Sequence, residues 1–176
     1  SAAPSTASFY LAQGEGKIVV TTSDQGTFGI RTFSPKTGEP GWASELAWEA
    51  DHHGKHLSRP AIANGHLILR PFVLDLATGK LQYRGFPPGH GCGSYCLTKN
   101  MVIFRGGEVV LWDLDKNTNT RYPRLRPDCW ISTIPANGML LSPEGGGGCS
   151  CGQWMEMSVG FLPRSLSPAS RGEGGN

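Results

Sequence analysis

The chain has 176 residues, with 25 Gly, 13 Pro, 17% charged residues and a formal net charge of +2. So weak a positive balance gives no reason to expect a nucleic-acid partner, because such binding depends on neutralising phosphates. Glycine and proline at this density disfavour a helical bundle, the 16 aromatic residues (five Trp, seven Phe, four Tyr) exclude a disordered chain, and no apolar run reaches the roughly 18 residues of a membrane span.

Short apolar runs separated by tight turns predict an all-β chain. In chain order the runs are 18–20, 67–69, 101–104 and 139–141. Each run follows a two-residue turn, at Glu15-Gly16, Asn64-Gly65, Lys99-Asn100 and Asn137-Gly138. Because Asn and Gly tolerate positive φ, these pairs suit hairpins between antiparallel strands. The second residues of the four turns are 49, 35 and 38 residues apart.

A second marker recurs with a similar period. It is Ser34-Pro35-Lys36-Thr37-Gly38, then Asp75-Leu76-Ala77-Thr78-Gly79, then Asp115-Lys116-Asn117-Thr118-Asn119. The threonines are 41 and 40 residues apart. Two markers with a period near 40 indicate repeats of one unit, and about four short strands in such a unit make one β-propeller blade. An ordinary β-sandwich is the alternative, but it explains only the strands and not the recurring turn.

The second of these turns carries a family resemblance. The pattern Asp75-x-x-Thr78-Gly79-Lys80-x-x-Tyr83 resembles the blade motif of quinoprotein-like, or pyrroloquinoline-quinone-repeat-like, β-propellers. In that family a Trp after the turn docks between neighbouring blades. The resemblance therefore implies inter-blade docking by Trp42 in the first repeat and Tyr83 in the second. The third repeat departs from the motif, with Asn119 in the glycine position and Pro123 in the aromatic one.

A narrower resemblance covers about residues 9–162. Segments 51–56, 89–93, 126–130 and 148–151 look like the C-terminal part of large multidomain bacterial proteins with quinone-binding-like repeats. The resemblance to this subgroup implies no particular activity. Propellers of this kind usually close at seven or eight blades, so the resemblance implies that about four blades are part of a larger ring.

The predicted domain organisation is a partial propeller over residues 1–163, followed by a flexible tail over residues 164–176. The predicted repeats are 9–48, 57–86, 92–124 and 129–163. An open array would expose strand edges and the faces of its terminal blades. We therefore expect its partners to be the remaining blades, from the same protein or from another chain. A self-dimerising half is the alternative.

The predicted functional site lies at one mouth of the central channel. The first strand of each blade lines this channel, and repeat alignment puts these strands at 59–63, 93–97 and 130–135. The segments before them, together with the glycine-rich segment near residue 150, hold the candidate metal ligands. These are His52, His53, His56, His90, Cys92, Cys129, Cys149 and Cys151.

Imidazole and thiolate together suit zinc, copper or iron, so a transition metal is the cofactor that these residue types favour. The alternatives are surface histidines and, with equal standing, two disulfides among the four cysteines. The fifth cysteine, Cys96, lies in a strand-like run and is interpreted as a small buried residue. No two cysteines are adjacent, and the acidic and Asn ligands of a quinone site cannot be assigned, so a bound quinone is not favoured.

Three basic residues near the same mouth, Lys55, Arg59 and Arg126, are candidates for binding an anion or, equally, are solvated loop charges. The glycine run 145–148 lacks the Lys-Ser/Thr of a phosphate loop. No complete catalytic set is present.

The leading hypothesis is a scaffold or binding module of a larger protein or complex, with a Cys/His cluster near the channel mouth. One alternative is part of a metal- or quinone-dependent oxidoreductase whose remaining ligands lie in other blades. Another is a carbohydrate- or peptide-binding propeller. Disulfide-compatible cysteines, Asn/Gly-rich turns and the absence of an initial Met favour a periplasmic or extracellular location.

Overall fold

The computed structural model of the chain describes residues 8–24, 26–47, 59–84, 94–125, 127, 132–144 and 157–163. Within these residues every regular element is a β-strand, and the strands form four antiparallel sheets. The predicted all-β class, built from units of short antiparallel strands, is confirmed. No helix in this part of the chain is long and apolar enough to span a membrane.

Each sheet is a meander whose strands follow one another in chain order. Blade 1 contains β1 Ser8–Gly14, β2 Lys17–Asp24, β3 Thr27–Phe33 and β4 Pro40–Ala47. Blade 2 contains β5 Ala61–Ala63, β6 His66–Leu69, β7 Phe72–Asp75 and β8 Leu81–Arg84. Blade 3 contains β9 Cys96–Leu97, β10 Met101–Gly106, β11 Glu108–Asp113 and β12 Thr118–Tyr122. Blade 4 contains β13 Ile134–Ala136, β14 Met139–Ser142 and β15 Val159–Phe161.

The turns between first and second strands follow the predicted pattern in three blades. Both residues have positive φ at Glu15-Gly16 (47° and 74°), Asn64-Gly65 (51° and 75°) and Asn137-Gly138 (50° and 73°). This backbone matches the twist of the strands it joins. The turn in blade 3 is built differently, because neither Lys99 nor Asn100 has positive φ. There the Met101 amide donates to the Thr98 hydroxyl at 3.1 Å, which closes the turn with a side chain.

The turn between the third and fourth strands of blade 2 is closed by a carboxylate. Both the amide and the hydroxyl of Thr78 donate to Asp75 Oδ1 at 2.7 Å. The Gly79 amide donates to the Asp75 carbonyl at 2.8 Å, with φ of +73° at the glycine. In blade 1 the same turn is closed by Ser34, whose hydroxyl accepts from the Thr37 amide at 3.2 Å.

In blade 3 the corresponding turn begins two residues earlier than the sequence marker indicated. Asp113 closes it, because its Oδ1 accepts from the Lys116 amide at 3.0 Å. Asn117, at φ +50°, takes the place of the glycine. The prediction that Asp115 and Thr118 continue the motif is therefore wrong. The carboxylate at the start of the turn is retained, whereas the threonine is replaced by Lys116, whose amide donates to Asp113 Oδ1 and whose Nζ lies 3.3 Å from Asp113 Oδ2.

These carboxylates predict a loss of stability in acid. Hydrogen bonds from the side chain and then the backbone of Thr78 hold the pKa of Asp75 below its usual value, and the Lys116 amide does the same for Asp113. A lowered folded-state pKa adds stability above the unfolded-state value, and this stability is lost as the pH falls through the folded-state pKa. We expect the urea midpoint to fall below about pH 4, the usual range of Asp.

The matched variant is Asp75→Asn, whose side chain still accepts a hydrogen bond but does not titrate. We expect its urea midpoint to depend less steeply on pH than that of the parent chain. Chemical denaturation at a series of pH values, followed by circular dichroism, measures both slopes. Identical slopes would show that the Asp75 hydrogen bonds do not persist in solution.

Hydrophobic clusters fill the spaces between neighbouring blades rather than the interior of any one sheet. The cluster between blades 1 and 2 contains Val19, Phe28, Ile30, Leu67, Leu69, Phe72, Leu74 and Leu76. The next joins blades 2 and 3 through Ile68, Val73, Val102, Phe104, Val110, Trp112 and Leu114. The last packs Ile103, Val109 and Leu125 against Leu140 and Val159 of blade 4. The second and third sheets therefore have both faces covered by a neighbouring sheet, as the inner blades of a propeller do.

Candidate functional site

The innermost strands of the blades converge. β1 contacts β5, and β5 contacts β9. Each of the connections 48–60, 85–95 and 123–133 leads from an outermost strand to the innermost strand of the next blade. Because strands alternate in direction, the ends of the outermost strands, the starts of the innermost strands and the turns between second and third strands lie at one end of the array. We call this end the channel mouth; its described residues are Arg59, Arg70, Ser94, Tyr95, Arg105 and Ser132.

All eight predicted metal ligands lie outside the described residues. These are His52, His53, His56, His90, Cys92, Cys129, Cys149 and Cys151, together with the basic residues Lys55 and Arg126. Within the described ranges, no group of three or more His, Cys, Asp or Glu residues could hold a metal ion. The Cys/His cluster therefore stays a prediction.

Arg59 is the predicted anion-binding residue that the structure describes. Its side chain is exposed, and its guanidinium carbon lies 5.6 Å from the centre of the Tyr10 ring. This cation–π contact joins blades 1 and 2 at the channel mouth. The guanidinium is therefore held in place without being withdrawn from solvent.

Tyr95 fixes the backbone at the same end. Its hydroxyl is shared between the carbonyl oxygens of Arg59 and Ile68, the latter at 2.9 Å. Burial raises the pKa of Tyr95 well above its usual value, so the hydroxyl stays protonated as a donor at physiological pH. Sequence reasoning placed this residue in a strand-like run and gave it no role.

Two serines join blades 3 and 4 at equivalent points. Ser94 Oγ and Ser132 Oγ lie 3.2 Å apart, and the Ser132 hydroxyl also contacts the Ser94 carbonyl oxygen. The Cys96 thiol lies beside them; its burial raises its pKa, and a hydrogen bond with Ser132 partly opposes that shift. Cys96 is free and half-buried. These hydroxyl and thiol groups are close in sequence to the predicted ligands Cys92 and Cys129.

The raised pKa of Cys96 predicts that its thiol reacts slowly with alkylating reagents. The thiolate is the reactive form, so we expect Cys96 to react with iodoacetamide several-fold more slowly in the folded chain than in urea at the same pH. Ser132→Ala removes the hydrogen bond that lowers the pKa and should slow the reaction further. Peptide mapping by mass spectrometry against pH measures both rates. Equal rates in folded and unfolded chains would contradict this environment.

Two buried arginines add positive charge to the channel mouth. Arg70 is 5% exposed and Arg105 is 3% exposed. They occupy equivalent positions, each five residues after the second residue of the turn that precedes its strand. The Arg70 guanidinium carbon lies 5.7 Å from the Phe104 ring centre, a contact between blades 2 and 3. Sequence reasoning missed both, although their spacing of 35 residues equals that of the turns.

Trp42 lies between blades 1 and 2 at the end opposite the channel mouth. Its indole Nε1 donates to the Leu76 carbonyl at 2.9 Å. The ring covers Gly79 so closely that a Cβ there would lie 2.6 Å from Trp42 Cε3. The tryptophan of one blade therefore packs on the turn of the next, and that turn has a glycine beneath the ring.

Other aromatic residues join the later blades. Tyr83 meets Trp112 edge to face, with ring centres 5.9 Å apart, and Trp112 Nε1 donates to Asn117 Oδ1 at 3.1 Å. Between blades 3 and 4 the contact comes from Tyr122, whose ring centre lies 6.4 Å from that of Phe161. The aromatic residue that contacts the next blade is therefore Tyr122 and not the residue at position 123, where the motif has its aromatic residue. The turn of blade 3, which begins two residues earlier, accompanies this change.

No family model matches the chain, and no curated protein matches it. Among solved structures, the computationally designed Ika4 protein is similar over 92% of this chain and 93% of its own, with a TM-score of 0.59 and 11% identity. BamB from Moraxella catarrhalis, a β-propeller protein, is similar over 76% of this chain, with a TM-score of 0.52 and 18% identity. A europium-containing methanol dehydrogenase matches over 65% of this chain and 25% of its own, with a TM-score of 0.45 and 13% identity.

The chain spans 42% of the length of BamB. At these identities the likeness shows the fold alone. The four meander sheets, the packing between their faces and the convergent inner strands agree with that likeness. The chain therefore has the fold of a partial β-propeller.

Proposed function

We propose that the chain is a scaffold and binding module of a larger β-propeller, which holds a cluster of Cys and His side chains at the channel mouth. The observation that carries the proposal is the convergence of β1, β5 and β9. In the sequence, the segments that precede β5, β9 and β13 contain six of the eight predicted ligands. The proposed location is periplasmic or extracellular, where cysteines of this kind form disulfides.

The chemistry of the described residues supports a binding role at this end. Arg59 presents an exposed guanidinium, and Arg70 and Arg105 add buried positive charge. Ser94 and Ser132 supply hydroxyls at the start of neighbouring inner strands. This combination suits an anionic ligand better than an apolar one.

The proposed partners are further blades. Phe9 is 64% exposed and Leu11 is 59% exposed on the first strand, and Leu141 is 39% exposed on blade 4. Apolar side chains on the two terminal sheets are the surfaces that further blades would cover in a closed ring.

The test measures metal content and thiol state on the purified chain. We expect Cys92, Cys129, Cys149 and Cys151 to be protected together from alkylation, either by a stoichiometric transition metal or by two disulfides. Elemental analysis and the mass shift on alkylation, with and without reductant, separate these cases. Cys96→Ser is the matched control, because Cys96 is free and its loss should leave metal content and protection unchanged.

Each outcome bears on the proposal. A stoichiometric metal that is lost in Cys129→Ser supports a metal-binding module. Two disulfides without metal support a scaffold and exclude the metal. Freely reactive thiols at Cys92, Cys129, Cys149 and Cys151, with no metal, would contradict the cluster whatever the reactivity of Cys96.

A further inference from the structure

The described residues leave the space between blades 3 and 4 open at the end opposite the channel mouth. This space is a groove with a volume of about 680 Å³, which we call the blade 3/4 groove. One wall is the face of blade 3 that points to blade 4, and the other is formed by blade 4 and the residues that follow β15. The side chains that decide its chemistry are Met101, Leu111, Tyr122, Leu140 and Phe161.

Positions that line this groove are closed at another interface of the same chain. Leu140 and Leu67 each lie two residues after the glycine of the preceding turn. Leu140 pairs with Phe161, and Leu67 pairs with Leu74. Leu67 and Leu74 are fully buried where blade 2 meets blade 1, whereas Leu140 is half-buried and Phe161 is 42% exposed. The same pair of positions is therefore sealed between blades 1 and 2 and open between blades 3 and 4.

The lack of one aromatic side chain accounts for this opening. Tyr83, on the outermost strand of blade 2, pairs with Val73, and its ring packs edge to face on Trp112 of blade 3. Val73 lies two residues before the carboxylate that closes the turn of its blade. In blade 3 the residue two before that carboxylate is Leu111, and its partner is Thr120. Since threonine has no ring, the space that Tyr83 fills in the preceding interface is left open here.

The lining of the groove favours an uncharged aromatic occupant. None of the described residues that line it is charged, so an ion there would lose its water without gaining a partner. The thioether of Met101 and the rings of Tyr122 and Phe161 favour contact with a further ring. The volume lies within the range of small-molecule sites, roughly 300–1,000 Å³, so there is room for a molecule of two aromatic rings.

We propose that the blade 3/4 groove binds a neutral small molecule with two aromatic rings. The rings lie between Met101 and Leu111 on one wall and Phe161 on the other, in the place that Tyr83 has between blades 2 and 3. This site is at the opposite end of the array from the channel mouth. It goes beyond the proposed function, because it takes an uncharged ligand and uses none of the predicted Cys and His residues.

Two dyes with the same rings test the charge preference. N-phenylnaphthylamine is neutral, and anilinonaphthalene sulfonate adds one negative charge. Fluorescence titration of the intact chain should show saturable binding of the neutral dye at one site. The sulfonate should displace the neutral dye with roughly tenfold lower affinity, because its charge finds no partner in the groove. Displacement is the measurement, since the arginines at the channel mouth attract an anion to a different site. Equal affinities would contradict the proposal.

A ring introduced from blade 3 tests the location. Thr120 lies on the same face of β12 as Tyr122, so Thr120→Tyr places a ring in the groove. We expect the affinity for the neutral dye to fall roughly tenfold, because the new ring takes volume that the dye needs. Asn119→Tyr is the matched control, since Asn119 is an exposed neighbour on the opposite face of the same strand. It should leave the affinity unchanged.

A new charge in the groove separates loss of the site from loss of the fold. Phe161 is 42% exposed, so Phe161→Lys removes little buried surface. This variant should bind the neutral dye more weakly and the sulfonate more tightly than the parent chain does, whereas an unfolded chain would lose both.

Three results would overturn the proposal: no binding of the neutral dye, equal effects of Thr120→Tyr and Asn119→Tyr, or an unchanged preference in Phe161→Lys. A groove that another part of the chain already covers would give the first of these results. No readout involves thiols or metal, so failure here and failure of the proposed Cys/His cluster are distinguishable.

Discussion

Gly79→Ala is expected to destabilise the chain by about 3 kcal/mol. The added Cβ would lie 2.6 Å from Trp42 Cε3 and 2.7 Å from Cδ2, which are atoms of a rigid ring that cannot move aside like the end of a flexible side chain. Overpacking of this kind costs roughly 1–3 kcal/mol, and an L-residue in the left-handed region adds roughly 1–2 kcal/mol. The free energy of unfolding from urea denaturation measures the sum.

Gly38→Ala is the control for this prediction. Its φ of +74° imposes the same backbone strain, but no described atom lies near the new Cβ. We expect it to cost only the strain, roughly 1–2 kcal/mol. If the two variants lost the same stability, the packing of Trp42 on Gly79 would not exist in solution.

Trp112→Ala is expected to cost about 4 kcal/mol, which is within the usual range for a buried aromatic. Trp112 is 2% exposed and is the largest of the fully buried side chains described. Its removal leaves a cavity beneath Tyr83 and takes a donor from Asn117. Because this cluster joins blades 2 and 3, the loss should appear in one cooperative transition rather than as local fraying.

The conservative variant Trp112→Phe separates the two contributions. It keeps a ring for Tyr83 and loses only part of the volume and the Asn117 hydrogen bond, so we expect roughly half the cost of the alanine variant. A loss below about 1 kcal/mol for Trp112→Ala would be the behaviour of a surface residue. That result would contradict the inter-blade core.

Local turn chemistry explains why much of the fold could be predicted. Pairs such as Asn64-Gly65 have few alternatives to a tight hairpin, since both residues adopt positive φ. The turn of blade 3 could not be located in the same way. Its closing carboxylate, Asp113, accepts from the amide of Lys116 and pairs with the Lys116 ammonium at 3.3 Å, so the threonine that marks this turn in blades 1 and 2 is absent. Thr118 lies 40 residues after Thr78 in the sequence but does not occupy the equivalent position in its turn.

The inner strands were predicted too long for a related reason. Among the described residues of the predicted strand 93–97, only Cys96–Leu97 form a strand, and in 59–63 only Ala61–Ala63 do. Ser94 and Tyr95 form side-chain hydrogen bonds with neighbouring blades instead of extending the ladder. Such contacts depend on which blades are adjacent, which hydropathy along one strand does not report.

At the candidate site, too, some residues could be predicted from the repeat and others could not. The segments before the inner strands were identified from the repeat, but Arg70 and Arg105 were not, although they recur with the repeat. Each lies near the end of a second strand, and only the alternation of strand direction brings that end to the channel mouth. Periodicity found the equivalent positions, and sheet topology was needed to show which of them meet.

The central claim is that neighbouring sheets pack face to face through residues that repeat along the chain. Nuclear Overhauser spectroscopy of the intact chain tests it most directly at Trp42. The account predicts strong cross-peaks between the Trp42 ring protons and the α-protons of Gly79, and none between the Trp42 ring protons and those of Gly38. Absence of the Trp42–Gly79 cross-peaks in the folded chain would contradict the packing of blade 1 on blade 2.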